Sequence, residues 1–69
     1  MKYLVVFEIT PTSVGAYVPD LPGCVAVGKT QDEAAQLIEE AIAMHLAGMR
    51  EDKLPIPEPT ARTTFVEVA

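Results

Sequence analysis

A single cysteine, Cys24, occurs in 69 residues, which excludes an internal disulfide, and no Cys/His spacing suggests a structural metal site. Neither a cofactor nor a metal is expected. No apolar run approaches the about 18 residues that a bilayer-spanning helix needs. Met1-Lys2-Tyr3 leads straight into a strand-like run, without the apolar h-region of a signal peptide. The expectation is a soluble protein of the reducing cytoplasm with no membrane partner. Basic charge is also scarce: five Lys and Arg stand against ten Asp and Glu, for a formal charge of −5. That balance repels phosphate backbones, so direct nucleic-acid binding is disfavoured and a basic protein partner suits the chain better. Gly15, Gly23 and Gly28 are isolated, without phosphate-loop spacing, and read as turn glycines.

What is present is enough to fold. The chain is 49% hydrophobic and 22% charged, far from the composition of disordered segments. A domain this short buries only about 60% of the surface of its unfolded chain, so its core is marginal and a homodimer or higher homo-oligomer is expected.

The most specific stretch runs from Pro19-Asp20-Leu21-Pro22-Gly23-Cys24 through Val25-Ala26-Val27-Gly28 to Lys29-Thr30-Gln31-Asp32-Glu33. It reads as a proline-bounded corner, a short strand and a capped helix start. Pro22 fixes φ and biases Leu21 to extended backbone, while Gly23 tolerates the dihedrals that close the bend. Before it, aromatic and β-branched residues predict a first strand over about 2–9, apolar on both faces, and a second over 15–19 that Pro19 ends. Pro11, Thr12 and Ser13 make the hairpin between them. A third strand is placed at 24–28.

Thr30 and Glu33 match a capping box, with the threonine accepting from the backbone of Glu33 and the glutamate reaching back to Thr30. Asp32 and Glu33 complement the helix dipole. Ala34, Leu37, Ile38, Ala41, Ile42, His45 and Met49 then recur at helical spacing, and predict a helix over about 31–53 that covers a sheet face. Leu54-Pro55-Ile56-Pro57-Glu58-Pro59 ends it as a stiff spacer, and loose alternation over 62–68 predicts a last strand. The whole is a single α+β domain, residues 1–69, of order β-β-β-α-β. Its expected form is a mixed four-stranded sheet in spatial order 3-2-1-4, with one helix on one face and a right-handed crossover.

Groups that could carry chemistry are few. Glu8 and Asp20 could meet at one sheet edge and hold a divalent ion, although solvated surface acids are the favoured reading. His45 lies mid-stripe, and its ring is expected to pack against the sheet or another subunit with one nitrogen on a backbone carbonyl. Cys24 starts a strand and reads as a small core hydrophobe, with a nucleophile near Lys29 and the helix start as the lesser alternative. Ala35, Ala43 and Ala47 read as helix propensity, with a subunit contact as the lesser alternative.

The run Asp20-Leu21-Pro22-Gly23-Cys24, with Gly28-x-Thr30-x-x-Glu33-Ala34, Glu40-Ala41-Ile42 and Pro55-Ile56-Pro57, closely resembles the HicB-like antitoxin family, formerly grouped among uncharacterised families. The resemblance covers nearly the whole chain. It implies a degraded RNase H-like fold and a protein that blocks a small basic mRNA-cleaving toxin, HicA, by occlusion rather than an enzyme. Many members carry a ribbon-helix-helix or helix-turn-helix segment after the last strand. This sequence, with Ala69 as its last residue, is expected to be a short form without one.

Two readings follow. In the first, the chain is a toxin-neutralising module whose partner-binding residues are Asp20, Leu21, Pro22, Gly23 and Cys24. In the alternative it is a metal-dependent nuclease using Glu8, Asp20 and His45, or an oligomeric domain with no toxin partner.

Overall fold

The computed structural model describes residues 1–69 as three short strands followed by one long helix. Strands β1 (Val6–Ile9), β2 (Val14–Tyr17) and β3 (Val25–Gly28) form an antiparallel meander in the order β1-β2-β3. Helix α1 (Gln31–Glu51) lies across one face of this sheet. The α+β class, the meander and the single helix therefore agree with the reading of the sequence.

The first hairpin closes through Thr10, whose backbone N–H donates to the Ser13 carbonyl at 2.9 Å and whose Oγ1 accepts from the Ser13 N–H at 3.0 Å. Short polar side chains that bond their own neighbouring backbone make such turns. The register pairs Val6 with Tyr17 and Ile9 with Val14, so Leu4 would fall opposite Pro19. Proline has no N–H to give, and the ladder stops at Val6 rather than running back to residue 2. Tyr3 and Val5 still pack against the core without belonging to the strand.

The core is small. Val14, Ala16, Val18, Leu21, Cys24, Ala34 and Ile38 are buried, with Phe7, Ala26, Ala41, Ile42 and Leu46 packed around them. Along the helix the sheet-facing residues are thus Ala34, Ile38, Ala41, Ile42 and Leu46, while Leu37 is more than one-third exposed. Leu46 adds to the stripe that the sequence pattern read through its neighbour His45, which is itself half-buried.

The helix start behaves as a cap with one difference from expectation. Thr30 is extended and its Oγ1 accepts from the Glu33 N–H at 3.1 Å, but the Glu33 carboxylate reaches one residue further back, to the Lys29 N–H at 3.2 Å. At the other end Lys53 adopts φ 57°, with Lys53 N–H on the Arg50 carbonyl and Leu54 N–H on the Met49 carbonyl. These are the two bonds of a Schellman motif, formed here with lysine in the place glycine usually takes. They end the helix at Glu51, two residues earlier than the stripe alone suggested.

The expected fourth strand is absent from the single chain, and with it the four-stranded order 3-2-1-4. Residues 62–68 make no backbone hydrogen bond and are exposed throughout. Thr63, Phe65 and Glu67 alternate with Thr64, Val66 and Val68, a pattern with strand propensity, but propensity alone supplies no partner, and within the single chain the segment finds none.

Gly28 joins β3 to the helix at close quarters. A Cβ placed on it would lie 2.7 Å from the Ala34 N and 3.1 Å from the Ala34 Cα, both backbone atoms of the helix's first turn. Gly28→Ala should therefore push the helix off the sheet and destabilise the fold by about 1–3 kcal/mol. Urea unfolding measures this, and an unchanged midpoint would mean that the strand and helix are not in close contact there.

Candidate functional site

The corner between β2 and β3 faces two ways. Inward, Leu21 is the largest fully buried side chain, with Val18 and Cys24 buried on either side of it. The backbone closes around it: Leu21 N–H donates to the Val18 carbonyl at 3.0 Å, Cys24 N–H to the Leu21 carbonyl at 3.0 Å, and Val18 N–H to the Cys24 carbonyl at 3.2 Å. Gly23 supplies the positive φ of 85° that the bend requires. Pro22 and Gly23 are left exposed at the tip.

Outward, Asp20 holds the segment that follows the helix. Its Oδ2 accepts from the Thr60 and Ala61 N–H groups, both at 3.0 Å, and its Oδ1 accepts from the Thr60 hydroxyl at 2.9 Å. Nearby, the Tyr3 hydroxyl donates to the Pro57 carbonyl. These bonds fix residues 57–61 against the body. The Ala61 N–H does most to hold the Asp20 carboxyl below its ordinary pKa, partial desolvation opposes it, and the Thr60 hydroxyl and N–H add to the lowering.

The geometry separates the residues of the nuclease reading. Glu8 sits opposite Gly15 in the middle of the first hairpin. Asp20 lies in the corner two residues past Val18, and the stretch from Gly15 to Val18 alone spans roughly 10 Å at 3.3 Å per residue. Both Asp20 oxygens are already occupied by donors from residues 60 and 61. His45 is half-buried on the helix and has no hydrogen-bond partner in the chain, so the expected bond to a backbone carbonyl is not formed. No group of three His, Cys, Asp or Glu side chains is placed to share a metal ion. Burial pushes the Cys24 thiol up, the opposite of what an activated nucleophile needs.

On the face away from the helix, Tyr17 lies directly opposite Val25, and Val27 follows two residues on. Cross-strand partners share a face, so these three side chains form an outward apolar surface, with Val25 63% and Val27 66% exposed. It borders the corner directly, because Tyr17 precedes Val18 and Val25 follows Cys24.

Over residues 3–67 the chain matches the family model described as the HicB-like antitoxin of bacterial toxin-antitoxin systems. The chain belongs to the HicB-like antitoxin family. Among its relatives are a UPF0150 protein of Thermoplasma acidophilum, 41% identical over 96% of this chain and 97% of that protein. An uncharacterised protein of Haemophilus phage HP1 is 38% identical over 84% of this chain and 44% of its own length. Antitoxin HicB 2 of Photorhabdus laumondii is 33% identical over 99% of this chain and 50% of its own. The chain thus spans about half the length of the phage protein and of the Photorhabdus antitoxin. No solved structure gives a significant match.

In this HicB-like chain the five corner residues divide by position. Leu21 and Cys24 are buried, Asp20 is engaged with Thr60 and Ala61, and Pro22 and Gly23 are accessible. Thr60 and Ala61, as the partners of Asp20, are not signalled by the sequence, since they stand 40 and 41 residues away from it. Tyr17, Val25 and Val27 are visible only as strand residues until the register puts them side by side.

Because the bound form of Asp20 is the carboxylate and its pKa is lowered, the clasp is complete above the ordinary aspartate pKa of about 3.9 and is lost as the pH falls through the lower folded-state value. The amide resonances of Thr60 and Ala61 should titrate with a midpoint below that of a free aspartate. In Asp20→Asn the same two amides should exchange faster with solvent at neutral pH. Titration at the ordinary value, or unchanged exchange in the variant, would show that the carboxylate does not hold the segment.

Proposed function

We propose that the chain is the toxin-binding part of an antitoxin and acts by occlusion on a small basic mRNA-cleaving toxin of the HicA type. The observation that carries this is the outward apolar face of Tyr17, Val25 and Val27 beside the exposed corner tip at Pro22 and Gly23, on a chain that bears a net charge of −5. Contiguous exposed apolar surface marks interaction sites. Complementary charge steers a basic partner to an acidic one and penalises acidic competitors. Family membership supplies the kind of partner.

In this reading the corner residues divide the work. Leu21 and Cys24 support the surface from below, Asp20 fixes its border, and Pro22 and Gly23 meet the toxin. The meander and helix are the remnant of an RNase H-like fold, and the role is non-enzymatic and cytoplasmic. In this reading Glu8, within the first hairpin, and Asp20, in the corner with both oxygens engaged by Thr60 and Ala61, hold no metal between them.

Co-expression with a HicA-like toxin should yield a complex that suppresses RNA cleavage and weakens as salt is raised. Val25→Asp with Val27→Asp places charge on an exposed face, and should release the toxin while leaving the helical circular-dichroism signal unchanged. A complex indifferent to both substitutions would place the toxin elsewhere. RNA cleavage by the purified chain with Mg²⁺ that Glu8→Gln abolishes would replace this reading with the nuclease one.

A further inference from the structure

Two unsatisfied halves of one sheet occur on the same chain. Strand β1 pairs only with β2, so its other edge carries unpaired backbone groups. Such an edge is a template for another strand. Residues 62–68 are the complementary half: they include Thr63, Thr64, Phe65, Val66 and Val68, residues suited to a strand, yet their backbone is unpaired and Phe65, Val66 and Val68 are 101%, 76% and 83% exposed. The clasp at Asp20 fixes where this segment leaves the body. From there it stands away from its own β1, and the Cα radius of gyration is 13.6 Å, against about 11 Å for a compact domain of this length.

We infer that residues 62–68 of one copy add as a fourth strand to the free β1 edge of a second copy, in a reciprocal exchange. The occupant is a second copy because donor and acceptor are present once each on every chain. A twofold exchange then satisfies both and leaves neither over, which is how closed dimers form. Charge agrees: Arg62 and Glu67 cancel, so the segment is neutral within a chain of net charge −5 and meets another copy without repulsion. A basic partner would be drawn to the acidic body instead. With only eight of 69 residues buried, the single chain is also small enough to need the added core. The exchange restores in the assembly the four-stranded sheet that the single chain lacks. It adds a strand at the free edge, so Phe65 would lie on the same side as Tyr17 but two strands away from it, beyond Val6; its test uses the chain's own mass and Phe65 contacts, and so it stands or falls separately from the antitoxin reading.

The assembly of the full chain is measured in the absence of toxin. Light scattering at micromolar concentration should give the mass of a dimer. Val66→Pro, at an exposed position outside the body, removes a ladder donor and should raise the dimer dissociation constant at least about tenfold, the factor that about 1.4 kcal/mol produces. The helical signal should not change. In a mixture of isotope-labelled and unlabelled chains, the Phe65 ring should give intermolecular nuclear Overhauser effects to Leu4, Val6 or Glu8. A monomeric wild-type chain, a dimer unaffected by Val66→Pro, or purely intramolecular effects from Phe65 would overturn the inference. So would a monomeric chain in which Val66→Pro abolishes toxin binding, since the strand would then belong to the toxin.

Discussion

The structure depends on Leu21. Its side chain is fully buried in the corner between β2 and β3, among Val18, Cys24 and the helix residues Ala34 and Ile38. Three backbone hydrogen bonds fold residues 18–24 around it. With Leu21 inside, its neighbour Asp20 is carried to the outer side, where it takes hold of Thr60 and Ala61. One short turn therefore ties the meander to the helix on one side and to the segment after the helix on the other.

Features set by local chemistry could be read in the sequence, and features set by distant partners could not. The Thr30 cap, the break imposed by Pro19 and the bend at Pro22-Gly23 depend on residues a few positions apart. They appear in the structure close to where the sequence puts them. The helix stripe was legible in its period, which left out Leu46, packed on the core four residues after Ile42. The Asp20 clasp was not legible, since nothing in a turn aspartate says that its acceptors serve backbone forty residues away. The segment 62–68 has strand propensity, but propensity supplies no partner. The single chain has a free edge on β1, but residues 62–68 stay exposed and unpaired instead of returning to it.

The candidate site was legible as a place more than as a set of contacts. The five residues from Asp20 to Cys24 marked both the family and the corner, but burial shows that Leu21 and Cys24 are there to build the turn. The surface that the turn presents is formed by Pro22 and Gly23 with Tyr17, Val25 and Val27, which become neighbours only through the β2–β3 register. Under the proposed occlusion this face would need no poised acid, base or metal, because blocking another molecule needs shape, apolar area and charge of the right sign. It would need a fixed corner, and three backbone hydrogen bonds close the corner around the buried Leu21.

The most direct measurement is the unfolding free energy of Leu21→Ala together with the amide exchange of Thr60 and Ala61 in the same variant. The loss expected for emptying a fully buried leucine site is about 2–5 kcal/mol, with the two amides losing protection as the corner loosens and Asp20 is no longer held in place. A loss below about 0.5 kcal/mol, the size of an ordinary surface substitution, with both amides still protected, would contradict the account that the corner organises this fold.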